Sequence, residues 1–464
     1  MLFPIDVKVN PGRGASQSLH RQLREAILQG RLAAGLRMPA TREVAKALGV
    51  ARTTVVSAYD VLAAEGHLRA RRGDGTFVEP ARRSARGNAP EAHLARLGAP
   101  ACSSPALRFD LRPGLPDVSL FPFDAWRRLE SRAWRSIANA GHAQADPAGV
   151  ARLRAAIVGH VSFARAVSCT VDDLVVTAGA QQAFDLLART LVDAPGTLVA
   201  VEDPCYAPMR DVWLHAGARI VSVPVDEHGI DVARIPPRAR VICVTPSHQF
   251  PLGVALSASR RARLLEHARR TGAYVVEDDY DSEYRYDDQP LDALHAHAPD
   301  RVCYVGTFSK TLFPALRLGY AVVPAALRAR LLAIRRAADG FGAPAPQLAL
   351  AEFIEAGHLR QHVRRMQARY AQRRTRLIEG LQAALSDRIA ILPAKAGLHF
   401  SLRVSGAVDW ARLRERADSR GLAFARCARY AAGHGYDDCC AIGFGALDDR
   451  RLASVVEHVS ELLA

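Results

Sequence analysis

Residues 306–320 read GTFSKTLFPALRLGY and contain Lys310, one of only four lysines in a chain that has 58 arginines. Because positive charge is otherwise almost always arginine here, a lysine at this point suggests a function that a guanidinium cannot perform. Burial can deprotonate a lysine amine, which then attacks a carbonyl to form a Schiff base, whereas a guanidinium keeps its proton. Lys310 is therefore a candidate nucleophile toward a carbonyl cofactor.

The surroundings of Lys310 contain further groups that a phosphorylated carbonyl cofactor requires. The lysine follows an apolar run in a loop, where open α/β sheets bind ligands, and Arg317 offers a forked cation for a phosphate. The segment VEDDYDSEYRY (276–286) places Asp278 and Asp279 at the end of another predicted strand. A pyridoxal 5′-phosphate (PLP) site needs a lysine, a carboxylate on the pyridine nitrogen and phosphate donors. The sequence thus predicts a PLP site.

Strand-like apolar runs alternate with amphipathic helical stretches from about residue 108 onward. The runs are LVVTAG (174–179), TLVAVE (197–202), RVICVTP (240–246), AYVVEDD (273–279) and RVCYVGTF (301–308). This alternation predicts an α/β domain with a mostly parallel sheet. The turn in TAGAQQAFDLL opens a helix whose backbone N–H groups can hold a phosphate, although such a turn is more often an ordinary connection.

The net charge of +15 is concentrated near the N-terminus. Residues 1–112 carry 18 lysines and arginines against 9 acidic residues, as a nucleic-acid-binding segment would, or a solubilising tail. No apolar run is long enough to predict a membrane span, and the first residues do not resemble a secretory signal. Eight cysteines without a regular spacing indicate reduced thiols, and the predicted location is the cytoplasm. No metal site is predicted.

The basic segment has the spacing of a helix-turn-helix. Leu19, Leu23 and Ile27 lie at helical intervals, and PATREVAKALGV predicts a second helix with Thr41 as its N-cap. ARTTVVSAYDVLAAEG begins a third helix, and GHLRARRGDGTFV predicts a β-ribbon that carries Arg69, Arg71 and Arg72. We therefore predict three domains or segments: DNA-binding 1–80, a linker of Ala, Pro, Ser, Gly and Arg at 81–107, and an α/β domain at 108–464.

Residues 14–79 resemble the winged helix-turn-helix of the GntR family, on the stretch MPATREVAKALGVARTTVVSAYDVLAAEGHLRARRGDGTFV. The resemblance implies binding to a double-stranded DNA operator. The implied contacts come from Arg42, Arg52, Thr53, Thr54 and Gly73, and Arg72 on the ribbon is suited to contact phosphates or a minor groove. Ala51 stands where a serine or threonine is usual in the family, so one phosphate contact is expected to be missing.

The remainder resembles the aminotransferase class I/II domain, fold type I of the PLP enzymes, with a large and a small subdomain. The phrasing LRPGLPDVSLFP, EDPCY, TPSHQFPLG, VEDDYDSEYRY and GTFSKTLFPALRLGY is most similar to MocR-type regulators, including GabR-like ones. The resemblance implies that Lys310 forms the Schiff base and that Asp278, rather than Asp279, pairs with the pyridine nitrogen. The other implied cofactor contacts are Tyr280 to the ring hydroxyl, Tyr206 stacking, His248 or Gln249 facing the cofactor, and Ala180, Gln181, Thr307, Ser309 and Arg317 around the phosphate.

Two departures from that family pattern bear on ligand binding. The segment HAQADPAG lacks the tyrosine through which a partner subunit usually reaches the phosphate. Ala441 occupies the slot of the arginine that commonly grips a substrate carboxylate. The effector is therefore expected to lack a carboxylate, or to have it bound by another arginine such as Arg426 or Arg429.

These features predict a PLP-dependent, homodimeric transcriptional regulator that senses an amine or amino acid through external aldimine formation. On this hypothesis the domain retains at most residual transaminase activity. The alternatives are a working aminotransferase with an accessory DNA-binding domain, and a plain regulator that has lost PLP. The sequence does not identify the effector, the operator, the target genes or the sign of regulation.

Overall fold

The computed structural model describes residues 7, 9, 12, 14–71, 73–80, 107–140, 146–286, 291–433 and 435–463. The chain forms two compact units, Met1–Cys102 and Ser103–Ala464, which are described separately. Except for Leu107, the predicted linker lies outside the described residues, as does Arg72. In the described part of the chain, none of the helices combines the length and the apolar character needed to cross a membrane.

The described residues of the N-terminal unit form three helices and a three-stranded sheet. Its elements are α1 (Ala15–Leu28), β1 (Arg37–Met38), α2 (Thr41–Leu48), α3 (Arg52–Ala64), β2 (Leu68–Arg71) and β3 (Gly75–Val78). The helices pack through fully buried side chains such as Leu19, Leu23 and Val55, which accounts for the apolar spacing in the sequence. The winged helix-turn-helix predicted from the sequence is confirmed.

Two local details differ from the sequence prediction. Thr41 is the first residue of α2 and not its cap; the N-cap is Ala40, whose N–H donates to the Glu43 carboxylate at 3.3 Å. The predicted two-stranded ribbon gains a third strand, because β1 pairs antiparallel with β3 in the order β1-β3-β2. A strand of two residues is too short to show an alternating pattern, so no sequence signal indicated it.

The C-terminal unit begins with an α/β subdomain. Its elements are β4 (Phe109–Asp110), α4 (Phe123–Ala140), α5 (Ala151–Arg165), β5 (Leu174–Thr177), α6 (Ala180–Leu191), β6 (Leu198–Asp203), α7 (Ala207–His215), β7 (Arg219–Asp226), β8 (Gly229–Ile230), β9 (Val241–Val244), α8 (Ala258–Thr271), β10 (Tyr274–Asp279), β11 (Val302–Thr307), β12 (Gly319–Val322), α9 (Ala325–Asp339) and α10 (Pro344–Glu355). Eight strands form one sheet in the order β5-β12-β11-β10-β9-β6-β7-β8. Only β12 and β8 run antiparallel to their neighbours among these strands.

A smaller subdomain follows. It comprises α11 (His358–Leu385), β13 (Ile389–Ile391), β14 (His399–Val404), α12 (Trp410–Ser419), β15 (Leu422–Ala423), β16 (Ala425–Arg426), β17 (Cys439–Gly443) and α13 (Leu452–Leu463). Four of its strands form an antiparallel sheet in the order β13-β14-β17-β16, and β15 pairs with β4. The fold predicted from the sequence, with a large and a small subdomain, is confirmed.

The five apolar runs identified in the sequence correspond to β5, β6, β9, β10 and β11 of the large sheet. Their residues are almost entirely buried, because helices cover both faces of a parallel sheet. These five strands run in one direction, so their carboxyl ends meet at one edge. Ligands bind at this edge in open α/β sheets, and the loop with Lys310 leaves it from β11.

Candidate functional site

Lys310 lies three residues beyond the carboxyl end of β11, with its amine held in place. Its Nζ donates a hydrogen bond to the carbonyl of Gly114 at 2.8 Å. Gly114 has a φ of +74°, and a Cβ at that position would lie 2.8 Å from Nζ, so a residue with a side chain would crowd the amine. Burial lowers the pKa of Lys310, although Asp281 and Asp278 act in the opposite direction. The amine is thus shifted toward its nucleophilic, uncharged form.

Asp278 and Asp279 at the end of β10 have opposite environments, because successive residues of a strand point to opposite faces. The Asp279 carboxylate accepts hydrogen bonds from other protein side chains: Arg165 donates from Nε at 2.7 Å, and the Tyr304 hydroxyl also donates to it. Asp278 is buried, and its Oδ1 has no hydrogen-bond partner among the described residues. Burial, aided by the charges of Asp279 and Asp281, raises the pKa of Asp278 to about 8, while Lys310 lowers it.

A candidate anion site lies where helix α6 begins. Gly179 caps the helix with a φ of 83°, and Ala180 is its first residue, so unpaired N–H groups point out of the helix end. A Cβ on Gly179 would lie 3.2 Å from Nη1 of Arg317, and Nη2 of the same guanidinium donates to the Ala178 carbonyl at 2.5 Å. Arg317 itself adopts a left-handed φ of 52°. The guanidinium therefore lies against the glycine at the positive end of the helix.

Three further predicted contacts lie around this anion site. The Thr307 hydroxyl donates to Ser309 Oγ at 3.1 Å and accepts the Ser309 N–H at 3.2 Å, which fixes the turn before Lys310. Gln181 turns its amide nitrogen to the Pro208 carbonyl at 2.8 Å, while its Oε1 is buried without a partner among the described residues. Its side chain is thus directed toward α7, so any contact of Gln181 with a phosphate would come from its backbone N–H.

Aromatic side chains line the neighbouring part of the site. Tyr206 precedes α7 and is 38% exposed, the partial exposure expected of a ring that faces a ligand. Its ring lies 5.7 Å from that of Phe250, which in turn lies 4.8 Å from Tyr430. The charges of Asp278 and Arg317 both act on the Tyr206 hydroxyl, whose pKa burial raises. Tyr206 therefore lies within electrostatic range of both Asp278 and Arg317.

His248 and Gln249 occupy different surroundings. The Gln249 amide nitrogen donates to the backbone carbonyls of Pro204 at 2.7 Å and Phe250 at 2.8 Å, and its Oε1 accepts from Leu252 N–H at 3.2 Å. Gln249 thus holds the loop. His248 directs Nδ1 toward Tyr280 and keeps Nε2 without a partner among the described residues. Of the two alternatives, only His248 has a ring nitrogen left for another group.

These features fit the predicted cofactor. Asp278 offers an unpartnered oxygen for a pyridinium N–H, Lys310 offers an amine, and the helix end with Arg317 offers phosphate donors. Tyr280, at 9% exposed, lies one residue beyond β10 on the same side as Asp278, within reach of a ring substituent. The chemistry of this set of groups is that of PLP binding.

The predicted DNA contacts cluster at the start of α3. Arg52 and Thr53 are exposed, Thr54 is half-buried, and Arg42 is exposed on α2. Gly73 has a φ of +81° in the turn between β2 and β3. The N-cap of α3 is Ala51, which makes no side-chain capping bond. The face that a helix-turn-helix presents to a major groove is therefore free of other protein contacts among the described residues of this unit.

Comparison with known proteins agrees with both units. The family "Bacterial regulatory proteins, gntR family" matches residues 15–78, and "Aminotransferase class I and II" matches residues 115–422. The chain is 37% identical to the probable rhizopine catabolism regulatory protein MocR of Rhizobium meliloti, over 90% of this chain and 88% of that protein. It is 34% identical to the HTH-type pyridoxine biosynthesis transcriptional regulator PdxR of Corynebacterium glutamicum over the full length of both. The chain belongs to the MocR-type family of helix-turn-helix transcriptional regulators.

Solved structures show the fold of the second unit of this MocR-type regulator. A kynurenine aminotransferase of Pyrococcus horikoshii superposes with a TM-score of 0.71 at 23% identity, over 82% of this chain and 96% of that chain. An α-aminoadipate aminotransferase of Thermus thermophilus gives 0.69 at 24% identity, over 76% and 92%. PLP is the cofactor of the aminotransferase class I and II domains, so the match to this domain class confirms the cofactor predicted from the sequence.

Two residues of the MocR-type site, Gly114 and Asp281, were not predicted from the sequence. Gly114 contacts Lys310 across 196 positions of the chain, and Asp281 contacts His248 across 33. The signal for Gly114 is a Pro-Gly pair, which marks a turn but not its tertiary neighbour. The signal for Asp281 is hidden in an acidic run that resembles an exposed turn. Of the segment HAQADPAG, residues 142–145 lie outside the described residues.

Proposed function

We propose that this regulator holds PLP on Lys310 and changes its binding to operator DNA when a primary amine or amino acid reaches the cofactor. The observation that carries the proposal is the juxtaposition of the buried Lys310 amine, whose pKa burial lowers, with the buried Asp278, whose Oδ1 has no partner among the described residues, in a chain that also has a winged helix. When bound, PLP supplies an aldehyde that condenses reversibly with a primary amine. Such chemistry serves equally for sensing and for catalysis.

Each residue of the site has a defined task in this proposal. Asp278 accepts a hydrogen bond from the pyridine nitrogen, and this cation would offset the cost of its buried charge. Arg317 and the N–H groups at Ala180 bind the phosphate, and Tyr206 stacks on the ring. Tyr280 donates its hydroxyl to the ring oxygen. Asp279 has no such task, because its carboxylate is paired with Arg165.

The position of Ala441 favours sensing over ordinary transamination of amino acids. Ala441 is fully buried in β17, opposite Ser401 and Ala425, and packs with Cys427 and Leu252. This neutral environment offers no cation for a carboxylate among the described residues. The role of the aminotransferase-like domain is therefore recognition of an amino group, with at most residual turnover.

The two arginines that were considered for a carboxylate have different surroundings. Arg426 donates to Asp437 at 3.2 Å and lies over the Trp410 ring. Arg429 is exposed, and within the described residues no hydrogen bond or ion pair engages it. It precedes Tyr430, whose ring packs on Phe250 beside Tyr206. Arg429 is thus the better candidate to contact an effector carboxylate at the edge of the site.

DNA recognition is assigned to Arg52, Thr53 and Thr54 in a major groove, with Arg42 and the Gly73 turn on the backbone; Arg72 lies outside the described residues. The regulator is proposed to act as a homodimer in the cytoplasm, where two winged helices read two half-sites. An effector that binds the two arrangements of the dimer unequally would shift their populations.

The experiment follows the cofactor and the DNA together. The PLP-loaded protein is titrated with amine–amino acid pairs that differ only in the α-carboxylate, against a duplex that the protein itself has selected from a random pool. A change in cofactor absorbance that parallels a change in DNA affinity, without steady product formation, is expected. Sustained transamination with unchanged DNA affinity would instead establish the aminotransferase alternative. Arg429→Ala, compared with Arg426→Ala, shows whether a carboxylate is bound at the edge of the site.

A further inference from the structure

A buried cluster of polar side chains lies beside Lys310, and two of its members, Asp281 and His399, are outside the set predicted to contact the cofactor. Nδ1 of His248 lies 3.1 Å and 3.2 Å from the two carboxylate oxygens of Asp281, and 3.0 Å from the Tyr280 hydroxyl oxygen. His248 and Asp281 are 2% and 1% exposed, so solvent does not separate them. His399 packs on His248 with ring centroids 4.8 Å apart.

The hydrogen bonds of the cluster determine where its protons lie. A carboxylate without a proton can only accept, and in that case Nδ1 of His248 is the donor to Asp281. Asp281 also accepts the Leu398 N–H at 3.3 Å, which fixes its orientation. Nε2 of His399 faces the Pro251 carbonyl at 3.2 Å and must donate to it. Burial lowers the pKa of His399 well below its usual range, although the hydrogen bond to the Pro251 carbonyl acts in the opposite direction, so this neighbour is uncharged.

This arrangement limits what the Tyr280 hydroxyl can do with its own proton. Two acceptors on the protein lie within 3.0 Å of the Tyr280 oxygen: the backbone carbonyl of His248 and, if it lacked a proton, Nδ1 of the same residue. With its Nδ1 proton donated to Asp281, the His248 ring cannot accept the Tyr280 hydroxyl proton at that nitrogen. One of the two competitors for the hydroxyl proton is thereby removed.

We propose that Asp281 is a positioning residue, which holds His248 as the Nδ1–H tautomer so that Tyr280 donates its hydroxyl proton to the ring oxygen of the cofactor. The inference rests on the proposed function, because Tyr280 needs a cofactor as acceptor. It adds a role for two residues, Asp281 and His248, that act through a third. Carboxylate–histidine pairs set the tautomer and orientation of the imidazole in the same way at other sites.

The same three side chains, His248, Asp281 and His399, could each direct one ligand atom at a metal ion, since such atoms lie within 4.8 Å of one another. The contacts favour the hydrogen-bonded arrangement instead. Nδ1 of His248 faces both a carboxylate and a hydroxyl, and Nε2 of His399 is bonded to a carbonyl. A metal would have to displace these bonds.

The tautomer is measured directly on the full-length, cofactor-free protein. Long-range ¹⁵N–¹H spectra of histidine-labelled protein, assigned with His248→Asn, should show His248 protonated at Nδ1. Asp281→Asn should mix the tautomers, because an amide can donate as well as accept. A wild-type His248 protonated only at Nε2 would overturn the proposal. The proposal would also be overturned if Zn²⁺ alone, added at stoichiometric concentration, shifted the His248 and His399 signals together.

The functional link is tested by a double-mutant cycle on PLP affinity. Asp281→Asn should weaken PLP binding about tenfold when Tyr280 is present, the effect of one hydrogen bond to a charged oxygen, and less than about twofold in a Tyr280→Phe background. Equal losses in both backgrounds would show that Asp281 acts on Lys310 through its charge alone, and would overturn the proposal. Glu277→Gln is the matched control: this buried carboxylate accepts from the Leu294 and His295 N–H groups and does not contact His248.

Two safeguards keep the outcome decisive. If Asp281→Asn fails to fold, His248→Asn breaks the same hydrogen bond, and its loss of PLP affinity should depend on Tyr280 in the same way. A His248→Asn loss that does not depend on Tyr280 would count equally against the proposal. If the wild-type protein fails to bind PLP at all, the proposed function is wrong. If wild-type protein binds PLP and the cycle shows no coupling, only the role of Asp281 is wrong.

Discussion

Removal of the Asp278 charge should raise the free energy of unfolding of the cofactor-free protein and lower that of the PLP-bound protein. Burial raises the pKa of Asp278 from 3.8 to about 8. Between these two values the folded protein keeps a proton that the unfolded chain has released. The free energy of unfolding of the cofactor-free protein therefore falls as the pH rises from about 4 to about 8, and Asp278→Asn removes this dependence.

The size of the effect follows from the shift. Each pH unit between the two pKa values corresponds to about 1.4 kcal/mol, which sets an upper limit of about 4 kcal/mol at pH 7. Relaxation of the site, entry of water and the nearby Lys310 amine reduce this cost, so a gain of about 1–2 kcal/mol is expected. For a unit of this size, that corresponds to a melting temperature about 1–3 °C higher.

The assay is thermal unfolding of cofactor-free and PLP-saturated protein at pH 5 and pH 8. Cofactor-free Asp278→Asn should melt above wild type at pH 8 and close to it at pH 5, and the order should reverse with PLP. The neighbouring Asp279→Asn is the matched control, because it leaves the buried Arg165 cation unpaired and should cost about 3–5 kcal/mol with or without PLP. If Asp278→Asn destabilises the cofactor-free protein as Asp279→Asn does, Asp278 is a structural carboxylate and the reasoning is refuted.

Three further outcomes are expected. Gly179→Ala should weaken PLP affinity about tenfold by crowding the phosphate cradle, whereas Gly272→Ala, also at positive φ but in open space, should leave it unchanged; fluorescence titration compares them. Arg52→Ala should lower DNA affinity at least about tenfold without altering cofactor absorbance, and a loss no larger than that of Arg31→Ala would count against the recognition helix. Ala51→Ser should add about 1 kcal/mol to the free energy of unfolding of the N-terminal unit by capping α3. Calorimetry that shows no gain would contradict the inference that α3 lacks a stabilising cap.

The parts of the fold that could be predicted from sequence depend on local patterns. Apolar runs of four to six residues indicated the central strands, since strands buried on both faces need no alternation. The Lys310 loop was found from its residue type and its place after a strand. The choice of Asp278 over Asp279 came from the family resemblance. The structure gives it a physical reason, because the two carboxylates point to opposite faces of β10.

What the sequence could not predict depends on contacts between distant segments. Gly114 meets Lys310, and Asp281 meets His248, only after the subdomains have folded. The sequence left His248 and Gln249 as equal alternatives for the residue that faces the cofactor. In the structure the Gln249 amide is bonded to backbone groups. A prediction from residue type names the chemistry available, but tertiary hydrogen bonds decide which polar group is already engaged.

The most direct test of the central claim is the site at which PLP becomes attached. Borohydride reduction of the PLP-loaded protein fixes the cofactor on its lysine, and peptide mass spectrometry identifies that residue. Within residues 108–464 only Lys310 and Lys395 are available, which makes the assignment unambiguous. The account predicts one phosphopyridoxyl group per chain on Lys310, absent from Lys310→Ala and retained in Lys395→Ala. Label on Lys395, or label that survives Lys310→Ala, would contradict it.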